Sequence, residues 1–425
     1  MNTPALLRSA LHARAPLTAR QPRPAQSALR CAAAAWPASA RRLPLSLYLW
    51  PLLACAALAS MPTPARAQSD SAITVYGRMN LGLVHYGGRE SINREQSLSS
   101  RFGVKGTENL SNGYSAQFVI ETGVSSDTGD GTLGSRETSV GLLGPFGKLR
   151  LGYMLSPLDD LHPIAGPGYV TNITNDNLNG FWANGYSNLF TGGTVGSTAC
   201  NQIAGPNGNT NSFAFDNRIG NSLRYDSPDF SGVKFATQYA FGEAAGCHAW
   251  ASSNKLQYTQ GNLNAALAYQ VHHNVRGSGL QDAIWMLAVG YQITPANYVA
   301  GYYQTLQYAN PGLQDLKQDG FALTWRTNLT SANLLELGWY RAGAGRGQQT
   351  PVFSGVFVGN GTASDLFIIG ARHTFSKRTE LWAQLAQLRN GQRAGYDLGG
   401  AGRAGAAGTI GAKPHALAFG IKHDF

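Results

Sequence analysis

The stretch Ala416-Leu-Ala-Phe-Gly-Ile-Lys-His-Asp-Phe425 decides the fold. Leu417, Phe419 and Ile421 alternate with small or polar residues, and the run ends on the aromatic Phe425. An alternation of period two is the signature of a strand whose two faces meet different surroundings. Similar stretches recur through most of the chain, joined alternately by short and long connections. A sheet that meets lipid on one face and water on the other must close on itself, because an open edge leaves backbone groups unpaired in hydrocarbon. The expectation is therefore an all-β, sixteen-stranded antiparallel transmembrane barrel.

Residues 1–67 read as a leader and not as part of that barrel. Arg41 and Arg42 precede the apolar run 43–59, and Ala65-Arg66-Ala67 supplies an A-x-A cleavage site before Gln68. The rival reading is a membrane helix, but Pro44 and Pro51 interrupt the run and strand patterns follow it. Eight arginines and no acid fall within residues 1–67, so removing them takes the formal net charge from +10 to +2. A nucleic-acid partner inferred from the basic balance loses its support. The domain organisation expected is a leader over 1–67 and one barrel over 68–425, exported to the outer membrane of a Gram-negative cell with its lipid as partner.

Charged residues make up 13% of the chain, against about 25% in soluble domains. That shortage suits a surface in contact with lipid. A secreted β-sandwich or β-solenoid is the alternative. Short turns are expected at 107–113, 144–147, 227–229, 261–262, 294–296, 328–330 and 376–378, each holding Gly, Pro, Asn, Ser or Thr. The longer connections fall at the other end, which in bacterial barrels faces outward. One of them, about 156–213, is rich in Gly, Asn and Pro and has no sustained period. A loop of this length in a wide barrel is expected to fold inward and narrow the lumen.

The candidate site is a row of cations on the inward face. Arg101, Arg136 and Arg218 occupy positions opposite the apolar faces and stand at similar distances from the short turns that follow them. Arg78 and Lys105 extend the row. An arginine on a lipid face at mid-depth costs about 2–4 kcal/mol, so the lumen is the favourable place for them. Opposing acids are few: Asp159 and Asp160 where the long loop begins, then Asp176 and Asp216. A modest preference for anions is expected. Cys200 and Cys247, the two cysteines beyond the leader, are either bridged or two separate thiols.

Catalysis finds no footing in the sequence. There is no G-x-S-x-G elbow or Walker A motif, and the G-x-G-x-x-G matches at Gly129 and Gly400 lie in glycine-rich loops with no helix pattern after them. Asp127 and Asp130 read as a solvated loop tip, and His272-His273 lacks ligand spacing to other histidines. No cofactor and no metal are expected.

Several segments resemble the general porins of Gram-negative bacteria, most closely the betaproteobacterial branch. They are Ile73-Thr-Val-Tyr-Gly77, Ser100-Arg-Phe-Gly-Val-Lys-Gly-Thr-Glu108, Val140-Gly-Leu-Leu-Gly-Pro-Phe-Gly147, Asn221-Ser-Leu-Arg-Tyr-Asp-Ser-Pro228, Phe375-Ser-Lys-Arg-Thr379 and the closing Phe425. The resemblance implies a homotrimer that passes ions and small hydrophilic solutes passively. It implies a third extracellular loop folded in as an eyelet, with Arg101, Arg136 and Arg218 at the opposing wall positions. It also implies that Phe425 is read by the barrel-assembly machinery. The sequence departs from the family pattern at Tyr153, where arginine is frequent, and at Asn80, where an acid is frequent. A substrate-specific channel is the nearest alternative; an adhesin or an enzyme barrel stands further off.

Overall fold

The computed structural model describes residues 72–88, 91–166, 182, 215–216, 218–242, 248–275, 278–310, 312–348, 356–398 and 409–425. Asp176, Cys200, Cys247 and the expected cleavage site lie outside the described residues. So does most of the 156–213 loop.

Seventeen strand segments form one antiparallel ring. They are β1 (Ala72–Gly87), β2 (Ile92–Ser97), β3 (Arg101–Ser111), β4 (Tyr114–Gly123), β5 (Glu137–Gly144), β6 (Gly147–Leu155), β7 (Arg218–Asp226), β8 (Val233–Phe241) and β9 (Trp250–Gln260). There follow β10 (Leu263–His273), β11 (Gln281–Gln292), β12 (Asn297–Tyr308), β13 (Leu316–Asn328), β14 (Asn333–Ala342), β15 (Ser364–Thr374), β16 (Thr379–Arg389) and β17 (His415–Asp424). Both β2 and β3 pair with β1, so they are two halves of one stave and the barrel has the sixteen staves expected. The break falls at Leu98–Ser100, where Ser99 takes a positive φ of 61°. There the Ser100 hydroxyl stands in for a rung of the ladder, accepting from Asn80 N at 2.9 Å and donating to Asn80 O at 3.1 Å.

Closure is made by β1 against β17, with Arg78 opposite Asp424 and Gly87 opposite His415. Phe425 finishes the seam: its N–H donates to Gly77 O and its carbonyl accepts from Gly77 N, both at 3.1 Å. Gly77 leaves room for the terminal ring, since a Cβ there would stand 2.3 Å from the Phe425 ring. The ring has no free edge, and every ladder group can be satisfied inside lipid.

Side-chain alternation follows from the pleat. Leu417, Phe419 and Ile421 on β17, and Trp285, Leu287 and Val289 on β11, point outward and are exposed. Between them, Gln238, Ser253, Gln270, Gln304, Gln318 and Gln384 point inward and are buried. The seven short turns and both ends of the strand order fall at one rim, at the positions the sequence predicts. The Asn112-Gly113 turn uses positive φ at both residues (52° and 78°), as a two-residue hairpin demands.

After β6 the chain does not run along the rim. Residues 156–166, including the short helical turns Asp159–Leu161 and His162–Ala165, reach inward-facing side chains of distant staves. Leu158 N donates to Ser253 Oγ (3.3 Å), Arg326 Nη1 donates to Pro163 O (3.0 Å), and Tyr340 Oη donates to Gly166 O (3.2 Å). Leu158, Leu161, Ile164 and Ala165 are buried there with Tyr302 and Tyr340. Trp182 stands edge-on to Tyr302 and to His162, each at 5.1 Å between centroids. This part of the lumen is a packed core.

Candidate functional site

The opposite arc of the wall carries the charge. Arg78 on β1 is the register partner of Arg101 on β3, and Arg101 in turn faces Gly123 on β4. Arg136 stands just before β5, its N–H bonded to Glu121 O at 2.9 Å. Arg218 opens β7 opposite Leu155. The register thus brings four guanidiniums into one row along the inward face. Phe102 and Ile120 mark the outward face of the same strands. Lys105 lies four residues nearer the turn, with its ammonium 5.2 Å from the centre of the Tyr76 ring.

The wall supplies its own counter-charges. Glu121 accepts from Arg136 Nε at 2.7 Å and from the Tyr76 hydroxyl at 3.1 Å, and lies 3.7 Å from Arg101 Nε. Asp424 receives Arg78 through Nε at 2.6 Å and Nη2 at 3.2 Å. The charges that act most strongly on Arg218 are Arg136, Asp159 and Glu121. For Arg101 they are Arg78, Arg136, Glu121 and Asp424. The cluster is therefore one electrostatic unit.

Asp160 belongs to a second network. It accepts from Arg224 Nη2 at 2.7 Å and from Lys255 Nζ at 2.6 Å. Arg224 also donates to the Leu155 carbonyl (2.9 Å) and pairs with Asp226, which holds Arg150 at 2.9 Å. These contacts fasten the start of the long loop to β7 and β9. Asp216 follows the buried Phe215, whose ring lies 4.9 Å from His272 and 5.4 Å from Tyr308.

Sequence reading missed Glu121, Asp424, Tyr76, Arg224 and Lys255. For Glu121 a signal existed: Phe118 and Ile120 point outward, so alternation sends Glu121 into the lumen. No metal site forms among the described residues, where no group of three or more His, Cys, Asp or Glu converges. His272 faces inward beside Gln270 (2.8 Å), whereas His273 stacks on Trp250. Adjacent strand residues point to opposite faces, so the pair cannot chelate. The Asp130 carboxylate caps its own turn, accepting from Gly131 N at 2.6 Å. No described helix is long and apolar enough to cross a membrane, and the strands provide the crossing.

A closed antiparallel barrel with an apolar outside and a charged inward arc is an outer-membrane channel. The profile of the Gram-negative porin family matches residues 54–393, and the chain belongs to that family. It is 28% identical over 354 residues to the major outer membrane protein P.IB of Neisseria meningitidis serogroup B, covering 79% of this chain and 92% of that one. The P.IB protein of Neisseria lactamica is 26% identical over 369 residues, with 82% and 96% covered. Among solved structures, the anion-selective porin from Comamonas acidovorans superposes with a TM-score of 0.62 at 21% identity, over 84% of this chain and 100% of that one. A trimer form of OmpT from Vibrio cholerae superposes with a TM-score of 0.59 at 14% identity, over 84% and 99%. The chain is a general porin of the betaproteobacterial kind, located in the outer membrane, and it acts as a passive channel.

Proposed function

We propose that the pore is weakly anion-preferring, with Arg78, Arg101, Arg136 and Arg218 as its selectivity wall. The carrying observation is the row of cations on that arc. Four guanidiniums stand on it, with Glu121, Asp424 and Asp159 among the carboxylates that act on them. A row of guanidiniums along a narrow aqueous path raises the local anion concentration without binding anions tightly. Lys105 adds to the field on the periplasmic side. The name of the Comamonas structure, an anion-selective porin, agrees with this reading.

The inward path of residues 156–166 supports a long loop that narrows the lumen, leaving the open passage beside the arginines. The acids expected to face the wall then divide by role: Asp159 acts on Arg218, and Asp160 anchors the loop. Removal of a leader after Ala67, assembly as a homotrimer and reading of Phe425 by the assembly machinery complete the proposal. The trimer form among the solved neighbours supports the second of these. No catalytic step and no cofactor enter it.

The test is a planar bilayer across a salt gradient, with the mature protein extracted in detergent. Ohmic steps in groups of three and a reversal potential on the anion side are expected. A reversal potential on the cation side would reject the arginine wall as the selectivity determinant.

A further inference from the structure

Two connections of the loop rim take different paths. Between β4 and β5 the chain closes on itself through the Ser125–Asp130 bridge, and its tip is exposed, with Leu133 at 80%. After β16 the chain turns inward instead. Ala394, Tyr396 and Leu398 are buried, although they belong to a connection of the outward rim. Connections normally keep to the surface, because buried backbone must find a partner for each N–H and C=O.

Here one side chain supplies those partners. Asn390, the first residue past β16, meets both backbone groups of Tyr396. Its Nδ2 donates to Tyr396 O at 2.7 Å, and its Oδ1 accepts from Tyr396 N at 2.9 Å. It also reaches the returning arm, donating to Ala412 O at 3.0 Å, and accepts from Ser364 Oγ on β15 at 3.2 Å. Arg393 N donates to Gly361 O and Gly411 N to Ala394 O, each at 2.9 Å. Gly391 has no room for a side chain at this crossing, since a Cβ would stand 2.3 Å from Gly361 O.

The inner end of the segment is fastened to a distant stave. The Tyr396 hydroxyl accepts from Gln318 Nε2 on β13 at 2.8 Å, and the same Nε2 donates to Gly343 O at 2.8 Å. In the ring, β14 and β15 lie between β13 and β16, so residues 390–398 cross two staves on their inward side. Phe357, from the neighbouring connection, stands edge-on to the Tyr396 ring at 4.8 Å between centroids. Tyr396 and Leu398 share one buried apolar cluster with Leu316, Tyr308 and Phe215, the last at the return of the long loop.

We propose that residues 390–398 form a second constriction, at the outward entrance, and that Tyr396 is its size-determining residue. The strap fills the entrance over the packed side of the lumen, so solutes enter along the arc that carries the arginines. It carries one cation, Arg393, and one anion, Asp397, and so adds no net charge to the path. The arginine row acts on the charge of a solute and the strap on its bulk. The two filters lie at different depths and are held by different residues.

Tyr396→Ala tests this in planar bilayers, with polyethylene glycols of graded size as neutral probes. Heat-modifiable mobility of the folded barrel checks assembly. The variant should conduct about 1.5-fold more than the parent and admit a larger polymer, at an unchanged reversal potential across a salt gradient. If Tyr396→Ala does not assemble, Asn390→Ala, which keeps the ring and unties both arms of the strap, should move conductance and polymer cut-off in the same direction. An assembled variant with the conductance and cut-off of the parent would overturn the proposal. So would a shifted reversal potential at an unchanged cut-off, because the strap would then act through charge.

Discussion

The two arcs of the inner wall obey different physics. Along β1–β7 the inward face carries Arg78, Arg101 and Arg136, mostly buried and paired with wall acids. Along β11–β14 the inward positions hold Ile284, Met286, Tyr302, Leu306, Tyr308 and Tyr340, packed beside Leu161, Ile164 and Trp182. One arc is charged and only partly withdrawn from water. The other is as dry as the interior of a soluble protein. Even its ion pair, Arg326 with Glu336 at 3.9 Å, is withdrawn from water, with Glu336 fully buried. A barrel wide enough for sixteen staves therefore need not be a uniform pipe. Selectivity and rigidity are assigned to opposite sides of it.

The largest effects should come from breaking the dry arc. Trp182→Ala removes a fully buried ring and should cost about 3–5 kcal/mol, read as the midpoint of urea unfolding in lipid vesicles. If stability is unchanged, this side of the lumen is not a core. Asp160→Asn attacks the seam between the arcs by releasing Arg224 and Lys255. It should cost about 1.5–3 kcal/mol and raise open-channel noise, because the start of the loop loses its anchor. Quiet single channels in this variant would show that the loop is held elsewhere.

Changes in the wet arc should leave stability alone and move selectivity. A unit charge at about 4 Å in water contributes about 1 kcal/mol, or roughly five-fold in local ion concentration. Arg101→Gln with Arg136→Gln should shift the permeability ratio toward cations by about that factor, and Glu121→Gln should shift it toward anions. Shifts of the same sign in both variants would contradict a shared electrostatic unit. The smallest effect is expected at the turn rim, far from either arc. There the Gly232 N–H and the Lys234 ammonium hold the exposed Asp229 carboxyl below its ordinary range. A depressed carboxylate contributes stability above its unfolded pKa and loses it as pH falls through the folded value. Being fully exposed, this one should add nothing measurable at neutral pH, so Lys234→Gln should match the parent in unfolding and in conductance.

The strand ladder was legible because its determinants are local. Alternation names the two faces, and Gly261-Asn262 or Ser227-Pro228-Asp229 names the turns. The break between β2 and β3 was not legible, since Leu98-Ser99-Ser100 contains neither Gly nor Pro and depends on a hydroxyl meeting Asn80 across the seam. The arginine row could be counted out from the turns, since each member stands a few residues from one. The partners of Asp160 were not, because they depend on where a long loop travels and not on any period. The dry arc left a trace that counting polar positions overlooks. Residues 283–289 of β11 are apolar without interruption, the pattern of a strand covered on both faces.

The contrast between the two rims has a consequence for how such a gene can change. At the loop rim, β14 and β15, like β16 and β17, are joined by long connections, so residues can be added or lost there with little effect on the ladder. At the turn rim the chain behaves like a text with a reading frame. One extra residue at Gly261-Asn262, unless extruded as a bulge, inverts the following strand and presents its water-facing side chains to lipid. Variation should therefore accumulate on the side that the outside world sees, while the side facing the cell remains nearly fixed.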